Sequence, residues 1–277
     1  MKHSIRAGRP LVSVLGMLVF AVMLFPYLVM LITAFRTKSD IYKLPPAFFP
    51  REFTWNNFTD IWSAIPLGNH MTSTLIVASG ATVLSLICAI PAAYTMARTK
   101  FAAQKYYLYL ILTTQMFSPI VLLVGLYREI SFVGLIDSWW ALILVNAAFS
   151  QAFSVWILIS VFTNISLELE QAAWIDGATK WQSIRKVLLP LAAPGIVTTM
   201  IYTFIQAWNE FPVALTIMTT TEKRPITVGI YSFFSFSGTE WQYLCAASLI
   251  ATIPVVVLFF IVEKHLVSGL TAGGTKE

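Results

Sequence analysis

Thr199, Tyr202, Thr203, Gln206, Asn209 and Glu210 recur at three- and four-residue spacing within an apolar stretch, so on a helix they share one face. Trp208 lies among them. Amides and hydroxyls exchange hydrogen bonds with the hydroxyl groups of a solute, and aromatic rings cover its apolar faces. Such a stripe, with no cluster of charges, suits a neutral polyol better than an ion. Hydrogen bonding between helices is the competing use of the same groups. Tyr202, Gln206 and Asn209 are the candidate contacts along a solute path. Asn146 joins them as a second candidate region, because Asn146, Ser150 and Ser154 repeat at four-residue spacing. An Asn inside an apolar span should face the interior of a bundle, against either solute or another helix.

Other chemistries lack their residues. No phosphate-binding Gly-x-x-x-x-Gly-Lys-Ser/Thr pattern occurs, so the chain is not expected to hydrolyse ATP itself. His3, His70 and His265 are far apart, no His/Cys spacing suggests a metal, and no Gly-x-Ser-x-Gly elbow occurs. Carboxylates are nearly missing from the apolar runs, where an ion-driven carrier would place one. Glu210 is the nearest candidate.

The 277-residue chain is 57% hydrophobic and only 11% charged, about half the charge usual for a soluble domain. That composition means membrane. Six spans are long enough to cross the hydrocarbon, near 11–35, 71–97, 106–126, 139–162, 187–208 and 242–262. Pro26, Pro91, Pro119 and Pro254 interrupt four of them. The first follows Lys2, Arg6 and Arg9, is too long for a signal core and reads as a retained helix. With the N-terminus inside, eleven Lys and Arg fall on the cytoplasmic side and seven outside, a bias in the direction expected. The net charge of +5 is therefore an orientation signal and not a nucleic-acid footprint. Cys88 and Cys245 both fall in expected spans and imply no disulfide.

The spans position one long polar interruption, residues 167–194. Ser166 can cap a helix whose first turn holds Glu168 and Glu170, where the helix dipole favours anions. Gly177 suits the end of that helix, and Thr179 with Gln182 has capping-box spacing for the next. Pro190 and Pro194 suit the start of the following span. Gln171-Ala172-Ala173, Asp176-Gly177-Ala178 and Leu189-Pro190 match the E-A-A…D-G-A…L-P pattern, and this stretch resembles the cytoplasmic signature loop of ABC importer permeases. The first position of the triplet is usually Glu and here is Gln171. Glu168, three residues earlier on the same face, can supply the missing charge.

That resemblance implies an all-α integral membrane protein of the type I ABC importer permease fold: one domain over 1–277, six transmembrane helices and a cytoplasmic coupling-helix loop at 163–186. Glu168, Glu170, Gln171, Ala172, Ala173, Asp176, Gly177 and Ala178 would form the element that docks on an ATPase subunit. The outer segment 36–70, with Lys43-Leu-Pro-Pro and Trp55-Asn-Asn57-Phe, is similar to that of carbohydrate-importer permeases. Its prolines and aromatics equally suit an interface anchor. The ending Gly269-Leu-Thr-Ala-Gly273-Gly274 resembles that of the smaller, maltose-type permease. There the tail, here 263–277, reaches the ATPases through Gly269, Gly273 and Gly274; a disordered terminus is the alternative. The implied partners are a second permease in a heterodimer, two ATPase subunits carrying ATP and Mg, an extracytoplasmic substrate-binding protein and membrane lipid, with no nucleic acid and no cofactor on this chain. The implied location is a bacterial or archaeal inner membrane, with both termini cytoplasmic. A glycerol-phosphate-type substrate is the alternative within this class, and an ion-gradient-driven carrier the alternative outside it.

Overall fold

Backbone groups in lipid must be satisfied within their own segment, so apolar runs of this length become helices. The computed structural model describes residues 8–45, 47–99, 102–234 and 238–272. Its helices are α1 (Gly8–Ala34), α2 (Lys38–Ile41), α3 (Asn56–Ala64), α4 (Leu67–Arg98), α5 (Gln104–Thr114), α6 (Pro119–Phe132), α7 (Trp139–Asn164), α8 (Leu167–Ile175), α9 (Lys180–Ser183), α10 (Leu189–Trp208), α11 (Pro212–Ile217), α12 (Ile226–Tyr231) and α13 (Trp241–Ala272). One antiparallel bridge, Arg36 to Phe53, is the sole β pairing among the described residues. Among those residues five helices are long and apolar enough to cross a membrane: Val12–Ala34, Leu67–Arg98, Trp139–Asn164, Lys180–Trp208 and Trp241–Ile261.

The stretch expected as one span over 106–126 is instead broken into α5 and α6. The cause is local. Pro119 takes the first position of α6, and Ser118 before it is extended at φ −67°, ψ 136°, as a residue preceding proline prefers. Pro26, Pro91 and Pro254, expected to interrupt their spans, lie inside continuous helices. The expected span 187–208 begins earlier, because α9 runs through a turn of π-helix at Ile184–Leu188 into α10. The last helix continues to Ala272, so most of the expected tail is helical in its backbone.

Contacts group the chain into two compact units, one of Met1–Leu67 with Ile230–Thr252 and one of Gly68–Gly229 with Ile253–Glu277. In the first, Asn57 is buried and its amide donates to the Ala34 and Arg36 carbonyls, both at 2.8 Å. The Phe35 ring packs on Phe53 and Phe58, with centroids 4.5 and 5.0 Å away. The segment expected as an outer loop is thus folded around its own aromatics. Asp40 is buried beside Arg36 and accepts from the Arg51 N–H. Lys38 pairs with Glu240, and the Tyr42 hydroxyl donates to the Thr239 carbonyl.

In the second unit α4, α7 and α10 pack through small and hydroxyl side chains. Ala89 and Ala93 of α4 meet Val155, Leu158 and Phe162 of α7, with Leu188 and Ala192 completing the cluster. The hydroxyls of Ser85, Ser154 and Thr203, one from each helix, run 3.2 Å apart in sequence through a fully buried layer. Paired hydroxyls of this kind hold helices together in lipid. Thr74 and Thr82 bond to carbonyls one turn back, at His70 and Ala78, a packing role rather than a solute one.

The corner between α6 and α7 turns at Asp137, a non-glycine residue at φ 59°. Its carboxylate accepts from the Thr219 and Thr220 N–H groups at 3.0 and 2.9 Å, from the Thr220 hydroxyl and from the Lys223 ammonium. Burial opposes its ionised form. The Thr220 hydroxyl and N–H, Lys223 and the Thr219 N–H outweigh that and hold the carboxyl well below the usual carboxylate range.

Candidate functional site

The loop after α7 folds as its residue spacing predicts. The Ser166 hydroxyl accepts from the Glu168 N–H and opens α8. At the other end the Gly177 N–H donates to the Trp174 carbonyl and the Ala178 N–H to the Ala173 carbonyl, the two bonds of a Schellman ending. That ending needs a left-handed residue, and Gly177 supplies it at φ +87°. Thr179 and Gln182 then exchange both capping-box bonds and open α9. Two helix termini are satisfied within a few residues, which makes the loop a defined element.

Glu168, Gln171, Ala172, Asp176 and Gly177 are exposed, and Ala173 and Ala178 are half-buried. Ile175 and Trp181 add large exposed apolar side chains at 87% and 67%. That leaves apolar surface on an element whose own helix termini are satisfied. Glu170 differs from its neighbours. It is 0% exposed, and its carboxylate accepts from Arg98 Nε at 2.7 Å and from the Tyr94 hydroxyl at 3.1 Å. By its place in the motif Glu170 is expected among the docking residues. The structure turns it inward to its own chain, because one helical step of about 100° separates it from exposed Gln171. Arg98 and Tyr94 escaped the sequence reading. They lie 72 and 76 residues from Glu170 in sequence, and Arg98 carried only an orientation signal.

The four solute-path candidates, Tyr202, Gln206, Asn209 and Asn146, all line one cavity of ≈ 370 Å³ between α5–α6, α7 and the end of α10. Breaking the 106–126 stretch creates one wall of it, with Gln115 held by a bond to the Phe149 carbonyl. Gln206 and Asn209 are exposed to the cavity and Tyr202 is half-buried. The Tyr202 ring packs on Phe153 with centroids 3.8 Å apart. Asn146 is buried, and its amide donates to the Leu142 carbonyl at 2.8 Å, so part of its polarity is satisfied within α7. Glu210 is the one formally charged side chain among the lining residues. Its two oxygens accept from the Val213 and Ala214 N–H groups at 2.7 and 3.0 Å, capping α11. The Glu210-Phe-Pro212 run, an acid just ahead of a proline at the first helical position, is the local signal for that short helix.

Gly269 lies within the helical backbone of α13. Gly273 and Gly274 lie outside the described residues. Among the described residues no group of His, Cys, Asp and Glu could hold a metal ion.

Five membrane-length helices among the described residues, a capped surface loop between two of them and a cavity whose one charged lining group is Glu210 describe a multi-pass membrane protein. Residues 82–271 match the model of the family described as the binding-protein-dependent transport system inner membrane component. The chain belongs to that family, and is a transporter component and a multi-pass inner-membrane protein. It is 33% identical over 270 residues to the sulfoquinovosyl glycerol transport system permease protein SmoH of Agrobacterium fabrum, covering 98% of this chain and 95% of that one. It is 31% identical over 276 residues to the diacetylchitobiose uptake system permease protein DasC of Streptomyces coelicolor, covering both chains fully. A chain of a bacterial ABC transporter involved in import of the acidic polysaccharide alginate shares the fold, with a TM-score of 0.80 at 20% identity over 95% of this chain and 98% of that one. The architecture is thus that of the type I ABC importer permeases.

Proposed function

We propose that this chain is the smaller permease of an ATP-driven importer that carries a neutral di- or oligosaccharide, or a related polyol, into the cytoplasm. The observation that carries the reading is the lining of the cavity. Amide, hydroxyl and aromatic side chains converge there, no Lys or Arg does, and the one carboxylate is occupied by α11. A phosphate or sulfonate would call for a cation, so the glycerol-phosphate alternative has less support. A relative named for the disaccharide diacetylchitobiose, aligned over the whole chain, points the same way, whereas the one named for the sulfonate-bearing sulfoquinovosyl glycerol does not.

The rest of the assembly follows from the family. A second permease completes the pathway, two ATPase subunits bind ATP and Mg, and an extracytoplasmic binding protein delivers solute. The exposed face of α8 and α9 docks on an ATPase, and its movement switches the cavity between the two sides of the membrane. The positive bias inside supports cytoplasmic termini and a cytoplasmic 163–186 loop, with 36–70 outside.

Alanine at Tyr202, Gln206 and Asn209 tests the solute path. Each substitution is expected to raise the half-saturating solute concentration or lower uptake about three- to tenfold, the loss of one or two hydrogen bonds or of a ring contact. Co-purification of the partner subunits should stay normal. Uptake kinetics that stay at wild type in all three variants would remove the cavity from the transport route.

A further inference from the structure

We propose that Glu170, Arg98 and Tyr94 form the link through which movement of α8 reaches the membrane helices, with Glu170 as its positioning residue. The proposal rests on the coupling role given to α8 above and assigns the inner face of that helix a separate task. A nine-residue helix has little stability of its own. The turns next in sequence cannot tie it to the bundle's distant helices, and Glu170 does. Arg98 closes α4 and its guanidinium reaches two elements at once: Nε donates to Glu170 of α8 at 2.7 Å, and a terminal NH₂ donates to the Ile165 carbonyl, at the end of α7, at 3.0 Å. Tyr94, one turn earlier on α4, donates to the second oxygen of the same carboxylate at 3.1 Å. Both charges are shielded from water, with side-chain exposures of 10% for Arg98 and 0% for Glu170.

A buried, hydrogen-bonded ion pair is stiff where an exposed one is not. Solvent screening and side-chain freedom loosen a surface pair, whereas separating a buried pair leaves two uncompensated charges. The planar guanidinium fixes direction as well as distance, a constraint Lys would not impose. A push on the outer face of α8 therefore moves the ends of α4 and α7 with it. Those two helices carry Ser85 and Ser154 of the buried hydroxyl layer, and α7 carries Asn146 of the cavity wall. Successive residues divide the work: Gln171 and Ala172 face outward, and Glu170 grips the chain's own bundle.

The test uses the complete complex, purified with its ATPase and permease partners and reconstituted with its binding protein. The readout is solute transported per ATP hydrolysed. Glu170→Gln and Arg98→Gln are each expected to lower that ratio about tenfold, the loss of one charge-assisted bond. The double variant should be no worse than either single, as residues acting as one unit behave. Tyr94→Phe removes one hydroxyl and keeps the packing, and should lower the ratio about threefold. It decides the matter where the charge variants fail to assemble. A wild-type ratio in Tyr94→Phe together with a wild-type ratio in either assembled charge variant, or with loss of assembly in both, would overturn the link. So would single effects that multiply in the double. A wild-type chain that recovers no ATPase would instead overturn the coupling role itself, so the two failures are distinguishable.

Discussion

Gly177→Asp is expected to cut transport at least about tenfold, with ATPase subunits either lost on purification or hydrolysing ATP without transport. Crowding is not the cause, since no atom lies within 4 Å of a Cβ built at Gly177. Backbone strain and charge act instead. At φ +87° a side chain costs about 1–2 kcal/mol. Asp tolerates that conformation better than most residues, so strain alone is a modest loss. The new carboxylate would also stand beside Asp176 at the negative end of α8, on the exposed face offered to a partner. Gly177→Asn separates the causes, since it keeps the backbone preference and adds no charge. It should retain most of the transport. Gln171→Glu, on the same exposed face, should be tolerated. Wild-type transport and ATPase recovery in Gly177→Asp would remove this face from the docking surface.

The second large effect is structural. Gly195→Leu should sharply reduce the amount of chain accumulating in the membrane and lower its melting temperature in detergent. A Cβ at Gly195 of α10 would clash with Val161 of α7, with Cγ1 at 2.7 Å and Cβ at 3.0 Å and Cγ2 closer still. Val161 is β-branched and has no flexible arm to move aside, so the helices themselves must separate. Overpacking of this kind costs about 1–3 kcal/mol or more. Adding Val161→Ala should recover part of the loss. Gly125→Leu, where nothing lies within 4 Å, should leave accumulation unchanged. Normal levels and melting in Gly195→Leu would show that α7 and α10 do not pack this closely.

These positions mark what a sequence can and cannot convey. The 163–186 loop was legible down to its caps because its signals are local: Ser166, Gly177, Thr179 and Gln182 act within a turn of themselves. The stripe on α10 was legible because helical period alone places Tyr202, Gln206 and Asn209 on one face. The break at Pro119 was harder. Pro26, Pro91 and Pro254 sit in similar apolar runs and stay helical, and only at Pro119 do Thr113, Thr114, Gln115 and Ser118 precede the ring, with the Gln115 amide donating to the Phe149 carbonyl of α7. What was missed depends on long-range pairing. Nothing near Glu170 announces Arg98, nothing near Asp137 announces Thr219, Thr220 and Lys223, and Gly195 looks like any other small residue until Val161 is beside it.

The central claim is that this chain works as one subunit of an ATP-driven assembly. The most direct measurement is a mild-detergent pull-down of the tagged full chain from its native membranes, with partners identified by mass spectrometry. An ATPase and a second permease recovered together with the chain is the predicted result. Recovery of the chain alone, under conditions that keep other membrane complexes intact, would contradict it and favour a self-contained carrier driven by an ion gradient.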